Sequence, residues 1–78
     1  MKLEIITPQQ VVFLGKVSAV TLPGELGLFT ILENHAPIIS TLVKGKLMYR
    51  TAEEEKFLDI SGGFVDVNKN KINLCVEL

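Results

Sequence analysis

The last eight residues, KINLCVEL (71–78), alternate without a break: Ile72, Leu74, Val76 and Leu78 fall on one side, Lys71, Asn73, Cys75 and Glu77 on the other. A period of two over eight residues is that of a strand with one buried face, and it is incompatible with a helix. The same period recurs upstream. KLEII (2–6) sets Leu3 and Ile5 on one face, and GKLMYRT (45–51) sets Leu47 and Tyr49 against Lys46, Met48 and Arg50. KVSAVTL (16–22), KFLDIS (56–61) and GFVDVN (63–68) add three short runs rich in β-branched or aromatic residues. No window of eleven or more residues holds a 3.6-residue period. The pattern predicts an all-β fold, a flattened β-sandwich or barrel of short strands.

Turn chemistry punctuates these runs. Between Val67 and Ile72 lies NKNK, whose asparagines tolerate the left-handed backbone of a tight hairpin. AEEEK (52–56) reads as a solvated hairpin tip, with a short helical turn as the rival reading. Pro23-Gly24 fits a type II turn, proline presetting φ and glycine supplying φ > 0. Ser61-Gly62-Gly63 suits a sharp turn or bulge where another backbone approaches closely.

At 78 residues the chain has room for one domain, residues 1–78, which buries only about 60% of its unfolded surface. Cys75 is its one cysteine, so no disulfide assists the core, and an unpaired thiol fits a reducing compartment. Eight Lys/Arg balance nine Asp/Glu with no basic cluster, which argues against a nucleic-acid partner. The longest uncharged apolar run, LGLFTIL (26–32), is far shorter than the ~20 residues of a membrane helix, so membrane association is expected only through a partner.

The chemistry-bearing residues are few. His35, the one histidine, sits in PGELGLFTILENHAP (23–37), and the available partners for a triad are Ser18, Ser40, Ser61, Asp59 and Asp66. None lies in a G-x-S-x-G elbow, so His35 reads as a structural or contact histidine and no catalytic residue is expected. One histidine and one cysteine forty residues apart make no metal cluster, and the glycines of GELG (24–27) precede no phosphate-binding Lys-Ser/Thr, so neither metal nor cofactor is expected. Glu53, Glu54 and Glu55 read as a solvated face and Cys75 as an ordinary, partly exposed thiol. VVFL (11–14), PII (37–39) and FV (64–65) are apolar on both strand faces. Bulges could absorb such runs; a partner covering an outer face is the favoured reading.

The order G-x-x-G-x-F-x-I-L-x-x-H-A-P (24–37), followed by FLDISGGFVDV (57–67), resembles the epsilon subunit of F-type ATP synthases, called delta in mitochondria. The resemblance runs from about Leu3 to Glu77. It implies a ten-stranded β-sandwich at the foot of a rotor, packed on the gamma subunit and resting on the membrane ring of c subunits. Its role there is to couple ion-driven rotation to ATP synthesis at other subunits, on the inner face of the energy-transducing membrane. By position, Gly24, Glu25, Leu26, Gly27 and Leu28 would face the c-ring, and Thr7, His35 and Ser40 would face gamma. Glu33-Asn34 departs from the Pro-Gly of many relatives. The family usually continues into a helical hairpin that restrains ATP hydrolysis. The chain ends at Leu78, so it is expected to be a shortened form without that hairpin.

Two rivals come from other classes. A lipoyl- or biotinyl-carrier sandwich would present a modifiable lysine at a hairpin tip, for which Lys69 is the candidate. A minimal all-β hydrolase would be built around His35.

Overall fold

The computed structural model describes all of residues 1–78. It contains nine strands and no helix: β1 (Lys2–Ile6), β2 (Val11–Lys16), β3 (Ala19–Gly24), β4 (Gly27–Leu32), β5 (Ile38–Leu42), β6 (Gly45–Arg50), β7 (Glu55–Ile60), β8 (Gly62–Asn68) and β9 (Lys71–Glu77). The all-β expectation holds, with nine strands where about ten were expected.

The strands form one curled sheet in the order β2-β1-β9-β8-β5-β3-β6-β7, with β4 paired to β3 outside that path. Gly24 is the corner. It pairs with Gly27 of β4 on one edge and with Leu42 of β5 on the other, while Ala19–Thr21 of the same strand pair with β6. The sheet therefore folds into two layers, β2-β1-β9-β8-β5 and β4-β3-β6-β7. All neighbours are antiparallel except β1 and β9, which run parallel from Lys2↔Lys71 to Ile6↔Cys75.

Alternation along each strand decides which side chains meet between the layers. One layer sends in Leu3, Ile5, Val65, Val67, Ile72, Leu74 and Val76; the other sends in Val20, Leu22, Ile31, Leu47, Tyr49 and Ile60. These residues are almost fully buried, and no polar or charged residue is. Phe13 of β2 and Tyr49 of β6 meet across the layers with ring centroids 4.6 Å apart and planes tilted by 46°. Tilted aromatic pairs of this kind contribute ~0.5–1.5 kcal/mol beyond area burial.

Several turns follow their sequence signals. Lys69 and Asn70 take φ of 52° and 59°, the double left-handed geometry of a type I′ hairpin between β8 and β9. The glutamate-rich tip is a turn and not a helix: Thr51 N–H donates to the Glu54 carbonyl at 2.9 Å, and its Oγ1 accepts from Glu53 and Glu54 N–H.

Other expectations need correction. Pro23-Gly24 is not a type II turn; both residues are buried at the end of β3, and the reversal is made by Glu25 and Leu26. Gly24 is a strand residue paired on both edges and does not supply the turn's positive φ; that falls on Gly27, at 120°. The run 16–22 is likewise not one strand. Lys16 closes β2, and β3 begins at Ala19 after Ser18 N–H has bonded the Arg50 carbonyl.

Candidate functional site

The stretch 23–37 is a hairpin arm with different chemistry at its two ends. At the Glu25-Leu26 turn Leu26 is fully exposed, and Leu28 beside it is 71% exposed. A Cβ at Gly27 would meet nothing within 4 Å, so a positive φ and not crowding requires glycine there. The turn and β5 line a shallow groove that includes Leu26, Leu28, Phe29, Ile39 and Ser40. The surface offered is thus apolar with one carboxylate, Glu25.

His35 lies at the other end of β4, roughly 17 Å away at the usual strand rise. Its N–H donates to the Leu32 carbonyl at 3.1 Å, and its Nδ1 is 2.7 Å from the Ala36 carbonyl oxygen. Asn34 and Asn70 bond each other across the gap to the β8–β9 turn. The Met1 ammonium donates to the Val17 carbonyl and to Glu33 Oε1, at 3.1 and 3.3 Å.

The residues assigned to gamma are not gathered into one patch. Thr7 sits at the β1–β2 loop, at the end opposite His35, and its Oγ1 accepts from Gln9 and Gln10 N–H at 3.2 Å each. Ser40 is half-buried in mid-β5 and shares the groove with the 24–28 turn. Thr7 instead borders a hollow of about 330 Å³ with Ile6, Pro8, Phe64 and Cys75. The structure therefore groups Ser40 with the turn assigned to the c-ring, and leaves His35 and Thr7 at opposite ends.

The runs that are apolar on both faces resolve in two ways. In VVFL, Ile5 faces Phe13 and Ile6 faces Val11, leaving Val12 as the extra residue of a bulge. Val12 and Phe13 then both pack on the core, while Val11 and Leu14 stay outside at 57% and 58% exposure. The other two runs obey simple alternation: Ile38 and Val65 turn in, Ile39 and Phe64 turn out. Register then aligns Phe64 with Cys75, Cys75 with Ile6, and Ile6 with Val11, an apolar row across the outside of four strands.

The second layer has an outer face that the sequence reading did not single out. Thr30, Thr21, Met48 and Phe57 are aligned across β4-β3-β6-β7, with the Thr21 and Thr30 hydroxyls 2.9 Å apart. Lys46–Asp59 and Arg50–Glu55 flank the row at 4.0 and 2.5 Å. The signal was present in KFLDI, because burying Leu58 and Ile60 sends Phe57 outward. Lys69 is exposed in its turn, but the adjacent Asn70 is tied to Asn34, so this is not the free tip a carrier lysine needs. No three His, Cys, Asp or Glu side chains converge.

Comparison with known proteins agrees with this architecture. Residues 1–78 match the sequence model of the family described as ATP synthase, delta/epsilon chain, beta-sandwich domain. An ATP synthase epsilon chain of Leptospira interrogans is 38% identical over 77 residues, covering 99% of this chain and 61% of that one. The epsilon chain of Chlorobium limicola is 42% identical over 77 residues, covering 97% of this chain and 88% of the relative. The chain thus spans about three fifths of the Leptospira relative's length and most of the Chlorobium one. Among solved structures, a chain of the Euglena gracilis mitochondrial ATP synthase superposes with a TM-score of 0.88 at 22% identity, over 95% of this chain and 48% of that one. A chain of the Tetrahymena thermophila central stalk and c-ring superposes with a TM-score of 0.84 at 19% identity, over 99% of this chain and 63% of that one. At those identities the likeness is one of fold. With the family model matched from end to end, the chain belongs to the ATP synthase delta/epsilon chain β-sandwich family.

Proposed function

We propose that the chain is a non-catalytic rotor subunit that couples the c-ring to the gamma subunit of an F-type ATP synthase. It would sit peripherally on the inner face of the energy-transducing membrane. No helix here is long and apolar enough to cross a membrane. Gly24–Leu28 rest on the c-ring loops in this reading, while gamma is met at separate points, at Thr7 and His35 on opposite ends of the sandwich and at Ser40 beside the ring-facing turn. Residues 1–78 contain no helix, so no hydrolysis-restraining hairpin lies within them.

The observation that carries the proposal is the exposed apolar surface on a domain of this family. Val11, Phe64, Ile39 and the turn residues Leu26 and Leu28 are each more than half exposed, on a chain that buries no charged residue. Contiguous apolar surface of this kind marks an interaction site. The deciding experiment is capture of gamma and the c-ring by the full chain in mild detergent. Leu26→Asp should release the ring with gamma retained, and Phe64→Asp should weaken gamma. Recovery of neither partner by the unaltered chain would refute the assignment.

A further inference from the structure

Two asparagines hold the His35 corner in place. Asn34 lies at φ 63° and Asn70 at φ 59°, in the left-handed region that asparagine tolerates better than other non-glycine residues. Their amides bond each other across 36 residues of sequence. Asn34 N–H donates to Asn70 Oδ1 at 2.8 Å, and Asn70 Nδ2 donates to Asn34 Oδ1 at 3.2 Å. Asn70 is anchored in turn, because its carbonyl accepts the Lys2 N–H at 2.9 Å.

The next residue after Asn34 is His35. Its own bonds reach no further than Leu32 and Ala36, both close in sequence. The ring is oriented by the Ala36 carbonyl, and the loop segment that carries both residues is tied to the rest of the sandwich at Asn34, whose backbone N–H is bonded to the β8–β9 turn. The other tie of this loop is the ion pair between the Met1 ammonium and Glu33 Oε1, whose carboxylate side chain is 59% exposed. Both ties are open to solvent on at least one side, so the difference is geometric: the ion pair fixes one distance, whereas two convergent amide bonds define both position and rotation.

We propose that Asn34 and Asn70 are positioning residues, whose reciprocal amide pair presents His35 to the partner seated on that end of the sandwich. This rests on the reading that His35 faces gamma. The pair adds no charge and does not itself touch the partner. It reduces the ordering that docking would otherwise require of residues 33–37.

Asn70→Gly is the informative variant. Glycine suits the left-handed turn position, so the hairpin is kept while the amide is removed. The expected result is an unchanged or higher melting temperature and loss of exchange protection at the Asn34 N–H in the full chain. Gamma should be captured about tenfold more weakly, through faster dissociation. Asn70→Asp should recover part of the affinity, because the Asn34 amide can rotate and donate to the carboxylate. Unchanged exchange at Asn34 in Asn70→Gly would overturn the clamp. Lost protection with unchanged gamma affinity would overturn its positioning role. If His35→Ala leaves capture intact, the docking reading of this corner fails and the positioning role with it, while the exchange data still report on the clamp separately.

Discussion

The backbone of Gly63 passes so close to Cys75 that a Cβ at residue 63 would overlap the Cys75 carbonyl oxygen and lie 2.9 Å from the Val76 Cα. Its φ of 153° is positive as well. Both obstacles are main chain in the paired strands β8 and β9, so no side-chain rotation relieves them. Gly63→Ala should cost at least ~3 kcal/mol, in the range of severe backbone or packing conflicts. Gly62→Ala, whose Cβ would meet only the Leu42 carbonyl at 3.6 Å, should cost less than ~1 kcal/mol. Urea denaturation midpoints of the two variants test the contrast.

Leucines at opposite extremes of exposure should behave oppositely. Leu74 is fully buried between the layers and Leu26 is fully exposed at the β3–β4 turn. Leu74→Ala should destabilise by ~2–5 kcal/mol through lost burial and a residual cavity. Leu26→Ala should stay within about 0.5 kcal/mol of the parent. Thermal melts of both variants would expose any error in the placement of these side chains.

The β8–β9 turn can be improved. Lys69 holds φ 52°, a conformation that costs an ordinary side chain roughly 1–2 kcal/mol. Lys69→Asn places a preferred residue at the first position of a type I′ turn and should stabilise by ~0.5–1 kcal/mol. A calorimetric melting temperature at or below that of the parent would contradict this.

Of the two ion pairs on the outer face of the second layer, Arg50–Glu55 is the tighter, at 2.5 Å against 4.0 Å for Lys46–Asp59. All four side chains are substantially exposed, so screening by water keeps both contributions small. A double-mutant cycle on Arg50 and Glu55 should return ~0.2–1 kcal/mol, shrinking as salt is raised. The same cycle on Lys46 and Asp59 should be close to zero.

Strands that alternate cleanly could be read from the chain, and those that do not were harder. KINLCVEL and KLEII fall within a residue of β9 and β1, because each has one face in the core and one in water. β2 hides its period because the bulge at Val12 places two neighbours on the same side. β4 hides it because Leu28 and Leu32 point outward and remain apolar, so LGLFTIL shows no polar face. The Pro23-Gly24 expectation failed for a non-local reason: the pairing of Gly24 with Leu42 is decided by a strand fourteen residues further on. The same limit applies to the site. His35 and Gly27 are eight residues apart in sequence, and only the extended path of β4 places them at opposite ends of the sandwich. The Asn34–Asn70 pair spans 36 residues and carries no local signature.

The parallel pairing of β1 with β9 has a consequence for how the chain is made. Lys2–Ile6 is made some seventy residues before its partner, and one edge of it stays unsatisfied until Lys71–Glu77 has been translated and released from the exit tunnel. β1 and β2 can form a hairpin early, yet a lone hairpin is marginal in water and exposes a row of unpaired amides. Contacts this distant in sequence also slow folding, since their closure entropy is met late. The nascent domain is therefore most open to misassociation just before β9 emerges, and deletion of β9 should abolish folding because both β1 and β8 lose a paired edge.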